Sequence, residues 1–164
     1  MQSKSFQSLL ITGIFLTVST LALSNDKAVE GAVQLTIINP PDLYDPVPNS
    51  YSHAVVAKGS SQIAYIAGQG GEDKQGNLSP EFSDQVIQAY VNLKTALTAV
   101  GAQPHQVTKI TTYVVDYNPS MLSVMTELAK ETFGDALPAQ TLVPVPRLAL
   151  DGMLFEVDAT AVIN

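Results

Sequence analysis

Three short segments near the carboxyl end hold most of the information about the structure of this chain: Pro138-Ala139-Gln140-Thr141, then Pro146-Arg147-Leu148, then Phe155-Glu156-Val157-Asp158-Ala159. The third segment alternates apolar and acidic residues, which is typical of a strand with one covered face. On such a strand Glu156 and Asp158 share one face, and Phe155 and Val157 share the other. We therefore predict two strands here, over Gln140 to Val145 and over Met153 to Ile163.

Hydrophobic patterning upstream of these segments predicts four more strands. Val33 to Ile38 forms the first. The apolar runs from His53 to Lys58 and from Gln62 to Ala67 have the spacing of an antiparallel hairpin. Val107 to Asp116 alternates apolar and polar residues and is rich in β-branched residues, which favours a strand.

Two helices are predicted between these strands. Apolar residues recur at intervals of three and four between Ser83, which we expect to cap the first helix, and Gly101, which ends it. A second helix begins at Met121 and ends at Gly134. The resulting order is β-β-β-α-β-α-β-β. It corresponds to an α+β fold in which one sheet carries both helices on one face.

The first 24 of the 164 residues differ from the rest in composition and have the features of a signal peptide. Lys4 supplies a positive charge, Leu9 to Leu23 contains no polar residue larger than Ser or Thr, and Ala22 and Ser24 are the small residues that a cleavage site requires. We predict a signal peptide over 1–24, a flexible segment over 25–32 and a single domain over 33–164. The alternative is an uncleaved anchor, but a membrane-spanning helix needs about 20 apolar residues. Either arrangement exports the domain, to the periplasm or as a secreted protein.

Composition narrows the possible partners. The chain has 15 acidic and 8 basic residues, a net charge of −7, and loss of Lys4 with the signal peptide makes the domain more acidic still. An acidic domain repels phosphate backbones and anionic headgroups, so we expect neither nucleic acid nor a membrane surface as a partner. The chain has no cysteine, and its two histidines, His53 and His105, are far apart in the sequence. We therefore predict no metal site.

Gly68-Gln69-Gly70-Gly71 is the one glycine-rich run in the chain. It has neither the G-x-G-x-x-G spacing nor the lysine and hydroxyl residue of a phosphate-binding loop. We interpret these glycines as turn residues or as positions where another group approaches the backbone closely.

The carboxyl-terminal segments, in this order, resemble the signature of the Rid or YjgF family of reactive-intermediate imine deaminases, which usually reads P-A-R-[ST], then A-R-L, then E-[IV]-[ED]-A. The resemblance extends over roughly Ile37 to Val162. It implies a chorismate-mutase-like fold, a homotrimer with ligand clefts between subunits, and no cofactor. The other segments that follow the order and spacing of the family are Asn39-Pro40, Tyr51 to Val55, Ile66 to Gln69, Gln88 to Leu93 and Val107 to Val114.

The family hydrolyses 2-imino acids, or their enamine tautomers, to 2-keto acids and ammonia. Its carboxylate-binding arginine falls at position 140, where this chain has glutamine. An arginine offers two charge-assisted hydrogen bonds to a carboxylate, whereas the amide of Gln140 offers a single neutral donor. The resemblance therefore points to the family's fold more strongly than to its usual substrate.

Further site residues follow from the same resemblance. Glu156 matches the glutamate that holds the water or the nitrogen end of the substrate, and Tyr51 matches an aromatic residue of the cleft. Thr126 falls where the family often places an asparagine, and Arg147 matches the arginine of A-R-L. Each has an alternative: solvated acids for Glu156 and Asp158, packing at a sheet edge for Tyr51, and an ion pair with a nearby acid for Arg147.

Two functions remain open on this basis. The first is a hydrolytic deaminase of imines or enamines, or a related hydrolase acting on a substrate without the usual carboxylate. The second is a non-catalytic trimer that binds a small molecule or protects other proteins with the same cleft.

Overall fold

A computed structural model describes residues 33–59 and 62–163 of the chain. The predicted signal peptide and flexible segment lie outside the described residues. No helix within the described ranges is both long enough and apolar enough to cross a membrane.

The described chain has six strands and two α-helices in the predicted order, which confirms the α+β fold class. Short 3-10 turns precede β2, β4 and α2. The elements are β1 (Gln34–Ile38), β2 (Ala54–Lys58), β3 (Gln62–Gly70), α1 (Phe82–Ala99), β4 (Val107–Val115), α2 (Leu122–Phe133), β5 (Ala139–Val145) and β6 (Phe155–Ile163).

The strands form two sheets, so the predictions of a single sheet and of a β2–β3 hairpin are wrong. β1 and β2 pair with each other in an antiparallel two-stranded sheet. The other four strands form a mixed sheet in the order β3-β6-β4-β5, in which only β4 and β5 are parallel. β3 pairs along its length with the nine-residue strand β6 and not with β2. The spacing of two apolar runs does not specify which strand each will pair with.

The predicted ends of the helices are confirmed at the carboxyl side but not at the start of α1. Gly101 and Gly134 follow the two helices with positive φ angles of 75° and 57°, which a glycine adopts without steric cost. Ser83, however, is not the cap of α1. The helix begins at Phe82 after Glu81, and the Glu81 side chain makes no capping hydrogen bond.

The core lies between the helices and one face of the four-stranded sheet. Tyr90 of α1 stacks on Phe155 of β6, with ring centroids 6.1 Å apart, and meets Phe133 of α2 edge-on. Alternate residues of β4 and β6 are buried on this face, whereas the residues between them point to the other side. That other side, called the open face below, carries Lys109, Thr111, Tyr113, Glu156 and Asp158.

The end of β3 fits closely against α1, as the glycine run predicted. A Cβ atom on Gly71 would lie 2.6 Å from both Cα and Cβ of Gln85. Gln85 cannot move away easily. It is fully buried, its amide donates to the carbonyls of Ser79 and Gly152, and its side-chain oxygen accepts from the Leu154 N–H.

Gly71→Ala should therefore destabilise the protein, by about 1–3 kcal/mol, because the added methyl overpacks a rigid contact. Urea unfolding followed by circular dichroism measures this. Gly68→Ala is the matched control, since the three atoms nearest to a Cβ there all belong to the Glu156 side chain, which can move more easily than the backbone of Gln85. Equal losses in both variants would show that the contact with α1 is not the cause.

Candidate functional site

A cavity of about 300 Å³ lies on the helix-facing side of the sheet edge, between β5, α2 and the segment that precedes β2. It brings together Tyr51, Thr126 and Gln140, three of the residues predicted for the site. The residues that line it are Tyr44, Asn49, Tyr51, Leu122, Met125, Thr126, Gln140 and Leu142. None of these is an aspartate, glutamate, lysine or arginine, and we call the cavity the neutral pocket.

Gln140 reaches the neutral pocket because of its register in β5. It lies beside Ile110 of β4, a buried residue on the helix-facing side. Its side-chain amide donates to the hydroxyl of Thr112 at 3.3 Å, and Thr112 is itself buried. One neutral donor group at this position can orient a polar ligand atom, but it supplies no charge.

Two aromatic residues that line the neutral pocket, Tyr44 and Tyr51, are in mutual edge-to-face contact with a third ring, that of His53. The ring centroids of Tyr44, Tyr51 and His53 are 5.2–6.4 Å apart, a favourable aromatic geometry. A hydrogen bond of 2.8 Å joins His53 Nε2 to the Tyr44 carbonyl. These contacts help to fix the position of the Tyr51 ring, which lines the pocket.

Tyr44 and Asn49 line the pocket but could not be predicted as site residues from the sequence. Both lie in the proline-rich stretch before β2, where no periodicity indicates which side chains point inward. The 3-10 turn Val47–Asn49, followed by Ser50 with a positive φ of 54°, places them there.

Glu156 lies on the opposite side of the sheet from the neutral pocket. In register it sits beside Tyr113 of β4 and Gly70 of β3, on the open face. A Cβ atom on Gly68 would lie 1.9 Å from Glu156 Oε1, so the absence of a side chain at Gly68 makes room for this carboxyl group. Within one chain, Glu156 is therefore separated from Tyr51, Thr126 and Gln140 by the sheet.

Two other acidic residues, Glu72 and Asp158, interact with Glu156 on the open face. Burial, and after it the charges of Glu72 and Asp158, raise the pKa of Glu156. The carboxylate of Asp158 has two hydrogen-bond donors: it accepts from the Thr111 N–H at 3.1 Å and from the Tyr113 hydroxyl at 3.2 Å. Glu156 and Asp158 share a strand face as predicted, but they are half-buried rather than freely solvated.

Arg147 lies apart from the neutral pocket, in the exposed loop between β5 and β6. Its guanidinium forms an ion pair with Asp151 at 3.2 Å, and both side chains are largely exposed. The predicted alternative of an ion pair with a nearby acid describes this arrangement. Within the described ranges no cluster of histidine, aspartate and glutamate could hold a metal ion.

The raised pKa of Glu156 predicts a pH-dependent effect on stability. A carboxyl whose pKa is higher in the folded than in the unfolded state stabilises the fold at low pH. This contribution is lost as pH rises through the folded-state pKa. Glu156→Gln, which cannot ionise, should therefore raise the melting temperature at pH 8 relative to its effect at pH 4. Calorimetry at both pH values measures this, and an equal effect at both would contradict the pKa direction.

Comparison with known proteins places this architecture in a family. Residues 45–163 match the family model described as Endoribonuclease L-PSP, which is the YjgF or Rid family. A RutC family protein of Pyrococcus horikoshii is 36% identical over 113 residues, which cover 68% of this chain and 85% of the relative. The chain therefore belongs to the Rid/YjgF family.

Solved structures agree with this assignment. A conserved Rid family protein of Yersinia pestis superposes with a TM-score of 0.71 at 34% identity, covering 77% of this chain and 97% of the other. RidA from an Antarctic Psychrobacter superposes with a TM-score of 0.57 at 27% identity, covering 70% of this chain and 89% of the other. The chorismate-mutase-like fold expected from the sequence is confirmed.

Proposed function

We propose that this protein hydrolyses imines or enamines that lack a carboxylate next to the C=N bond. The products are a carbonyl compound and ammonia. The observation that carries the proposal is the combination of a neutral pocket, containing Gln140 in place of the arginine, with a half-buried acid, Glu156, on the same fold. The neutral pocket determines which ligand binds, and Glu156 can donate and accept protons.

The pocket argues against a carboxylate-bearing substrate. A ligand carboxylate buried there would lose its water and meet only amide and hydroxyl donors, which compensate poorly for a desolvated charge. The net charge of −7 adds a repulsive field. A neutral imine without a carboxylate is not repelled by the same field, and its protonated form is attracted by it. The same charge is the reason that we propose a small molecule rather than RNA as the substrate.

We propose further that the working site forms between two subunits of a homotrimer. The neutral pocket and Glu156 lie on opposite sides of one sheet, so a pocket from one subunit must meet the open face of the next. The open face carries Ile63 and Tyr65, which are 55% and 79% exposed in the single chain. Exposed apolar side chains on a sheet face favour coverage by another subunit.

Light scattering of the purified protein should therefore give three times the mass of one chain.

Subunit mixing tests the shared site directly. Tyr51→Ala should disable the pocket, and Glu156→Gln should disable the acid, so that each homotrimer is inactive. Random mixing in a cyclic trimer leaves about a quarter of the interfaces with both parts intact. Co-expressed chains should therefore regain up to that fraction of wild-type activity. Mixed trimers that stay inactive, from variants that each fold, would place both residues in one subunit's site.

Turnover is measured on an imine made in the assay. A flavin amine oxidase acting on benzylamine supplies an imine without a carboxylate, and an amino-acid oxidase acting on alanine supplies a 2-imino acid. Loss of each imine is followed by trapping the remainder with semicarbazide. Wild-type protein should accelerate hydrolysis of the first and act slowly or not at all on the second. The opposite preference would contradict the proposal.

A non-catalytic ligand-binding role is the second candidate, and the neutral pocket favours it. Within one chain that pocket contains no acid or base at all, apart from tyrosine hydroxyls. Tight binding of an apolar ligand without turnover of either imine would support this role.

A further inference from the structure

A second acid, Glu72, lies beside Glu156 on the open face. Gly70 is the register partner of Glu156, and a Cβ atom on Gly70 would lie 2.4 Å from Glu72 Oε2. A Cβ on Gly68 would meet Glu156 Oε1 in the same way. Both carboxyl groups therefore pack over the same end of β3, in the space that two glycines leave open.

The backbone of Glu72 is held firmly in this position by α1. The Asn92 side chain donates to the carbonyls of Gly70 and Glu72, each at 2.9 Å. Gln88 donates to the Asn92 side-chain oxygen at 2.9 Å and so fixes its orientation. Glu72 also forms an isolated bridge with Leu78. The placement of its carboxyl group is thus built into the fold.

One carboxylate oxygen of Glu72 is an unsatisfied hydrogen-bond acceptor. Glu72 Oε2 is shielded from solvent and has no hydrogen-bond partner among the described residues. An ionised carboxylate oxygen in that position is costly. A protonated carboxyl group next to it would supply the missing donor, as in pairs of carboxyls that hold one proton between them.

The other donors around Glu72 and Glu156 make hydrogen bonds to other groups. The Tyr113 hydroxyl donates to Asp158, and Lys109 Nζ donates to Thr141 Oγ1 and the Ile110 carbonyl. From α1 the amides of Gln85 and Asn92 donate to backbone carbonyls. Glu156 is the remaining candidate, and the neighbouring charge of Glu72 contributes, after burial, to its raised pKa.

We propose that Glu72 and Glu156 share one proton, and that Glu72 is a positioning residue that keeps Glu156 able to protonate the substrate nitrogen. This inference rests on the proposed function. Glu156 gives its proton to the imine nitrogen, and the shared site is left as two carboxylates. A water molecule then attacks the carbon, its oxygen forming the new C–O bond, and its proton passes to Glu156.

The resulting amino alcohol loses ammonia once its nitrogen takes that proton. The C–N bond breaks with its electron pair on nitrogen, and the hydroxyl proton returns to Glu156 as the C=O bond forms. One water is consumed and one ammonia released. The carboxyl pair ends with the single proton with which it began.

The test is a carbon-13 NMR titration of the purified protein labelled at glutamate carboxyl carbons. Glu156→Gln identifies the Glu156 signal by its loss. We expect the midpoint of Glu156 to move to lower pH in Glu72→Gln, because the neighbouring charge is removed. Glu131→Gln, at an exposed position of α2, should leave it unchanged. An unchanged Glu156 midpoint in Glu72→Gln would overturn the inference.

Kinetics separate this inference from the proposed function. Glu72→Gln should shift the alkaline limb of the kcat profile to lower pH and leave KM unchanged, because Glu72 acts through Glu156 and does not line the pocket. If wild-type protein hydrolyses the imine and Glu72→Gln has an identical pH profile, the inference fails while the proposed function stands. If the Glu156 midpoint moves but no imine is hydrolysed, the carboxyl pair stands and the proposed function fails.

Discussion

Replacement of Gln140 by arginine is expected to raise kcat/KM for simple 2-imino acids by about 30- to 1000-fold. A charged fork recovers about 2 to 4 kcal/mol of carboxylate binding that a single neutral amide cannot provide. Gln140 already lines the neutral pocket, so the new guanidinium would lie where the substrate binds. The gain should come mainly as a lower KM, because a carboxylate remote from the reacting bond is held equally in the ground and transition states.

Gln140→Met is the matched control, since it keeps the length of the side chain but adds no charge. It should leave activity on 2-imino acids at the wild-type level. Gln140→Lys should give a smaller gain than arginine, because an ammonium group cannot make the bidentate contact. Equal gains from arginine and methionine would show that the amide of Gln140 merely obstructs the pocket. A wild-type enzyme already fast on 2-imino acids would contradict the assigned role of position 140.

Gln140→Arg should also reduce activity on the imine without a carboxylate. Arginine would place an unpaired cation in a pocket that holds no aspartate or glutamate, and a protonated imine would be repelled by it. A reversal of preference between the two substrates would therefore identify position 140 as a determinant of specificity rather than of general activity.

Sequence reasoning predicted the local elements well because they depend on local patterns. Alternation in β4 and β6 and the three-and-four spacing in α1 are fixed by which face of each element is buried. The glycine at each helix end is required by backbone geometry, which is again local. The face shared by Glu156 and Asp158 followed from the two-residue period of a strand.

Partnerships between distant segments could not be predicted in the same way. The pairing of β1 with β2 and of β3 with β6 depends on which long-range contacts bury the most surface. The aromatic cluster of Tyr44, Tyr51 and His53 depends on an irregular loop. The approach of Glu72 to Glu156 depends on a register shift between Ile66 and Gln69, which no sequence period reveals.

The separation of the site into two halves explains why the resemblance alone did not fix its geometry. Tyr51, Thr126 and Gln140 are predicted site residues that one chain brings together, and Glu156 is one that the same chain holds elsewhere. The neutral pocket can define what binds without Glu156. The proposed hydrolysis requires both halves, and this requirement links the proposed activity to the proposed assembly.

Glu156→Gln should lower kcat for the imine without a carboxylate by about 10²- to 10⁴-fold, the usual contribution of a positioned acid or base. KM should change little, because Glu156 does not line the neutral pocket. The amide preserves the shape of the side chain over Gly68 but can neither donate a titrating proton nor accept one from water. Steady-state kinetics near neutral pH measure the loss. Glu131→Gln, an exposed change of the same kind, is the control. A variant that keeps the wild-type kcat would remove Glu156 from the mechanism and leave the neutral pocket as a binding site alone.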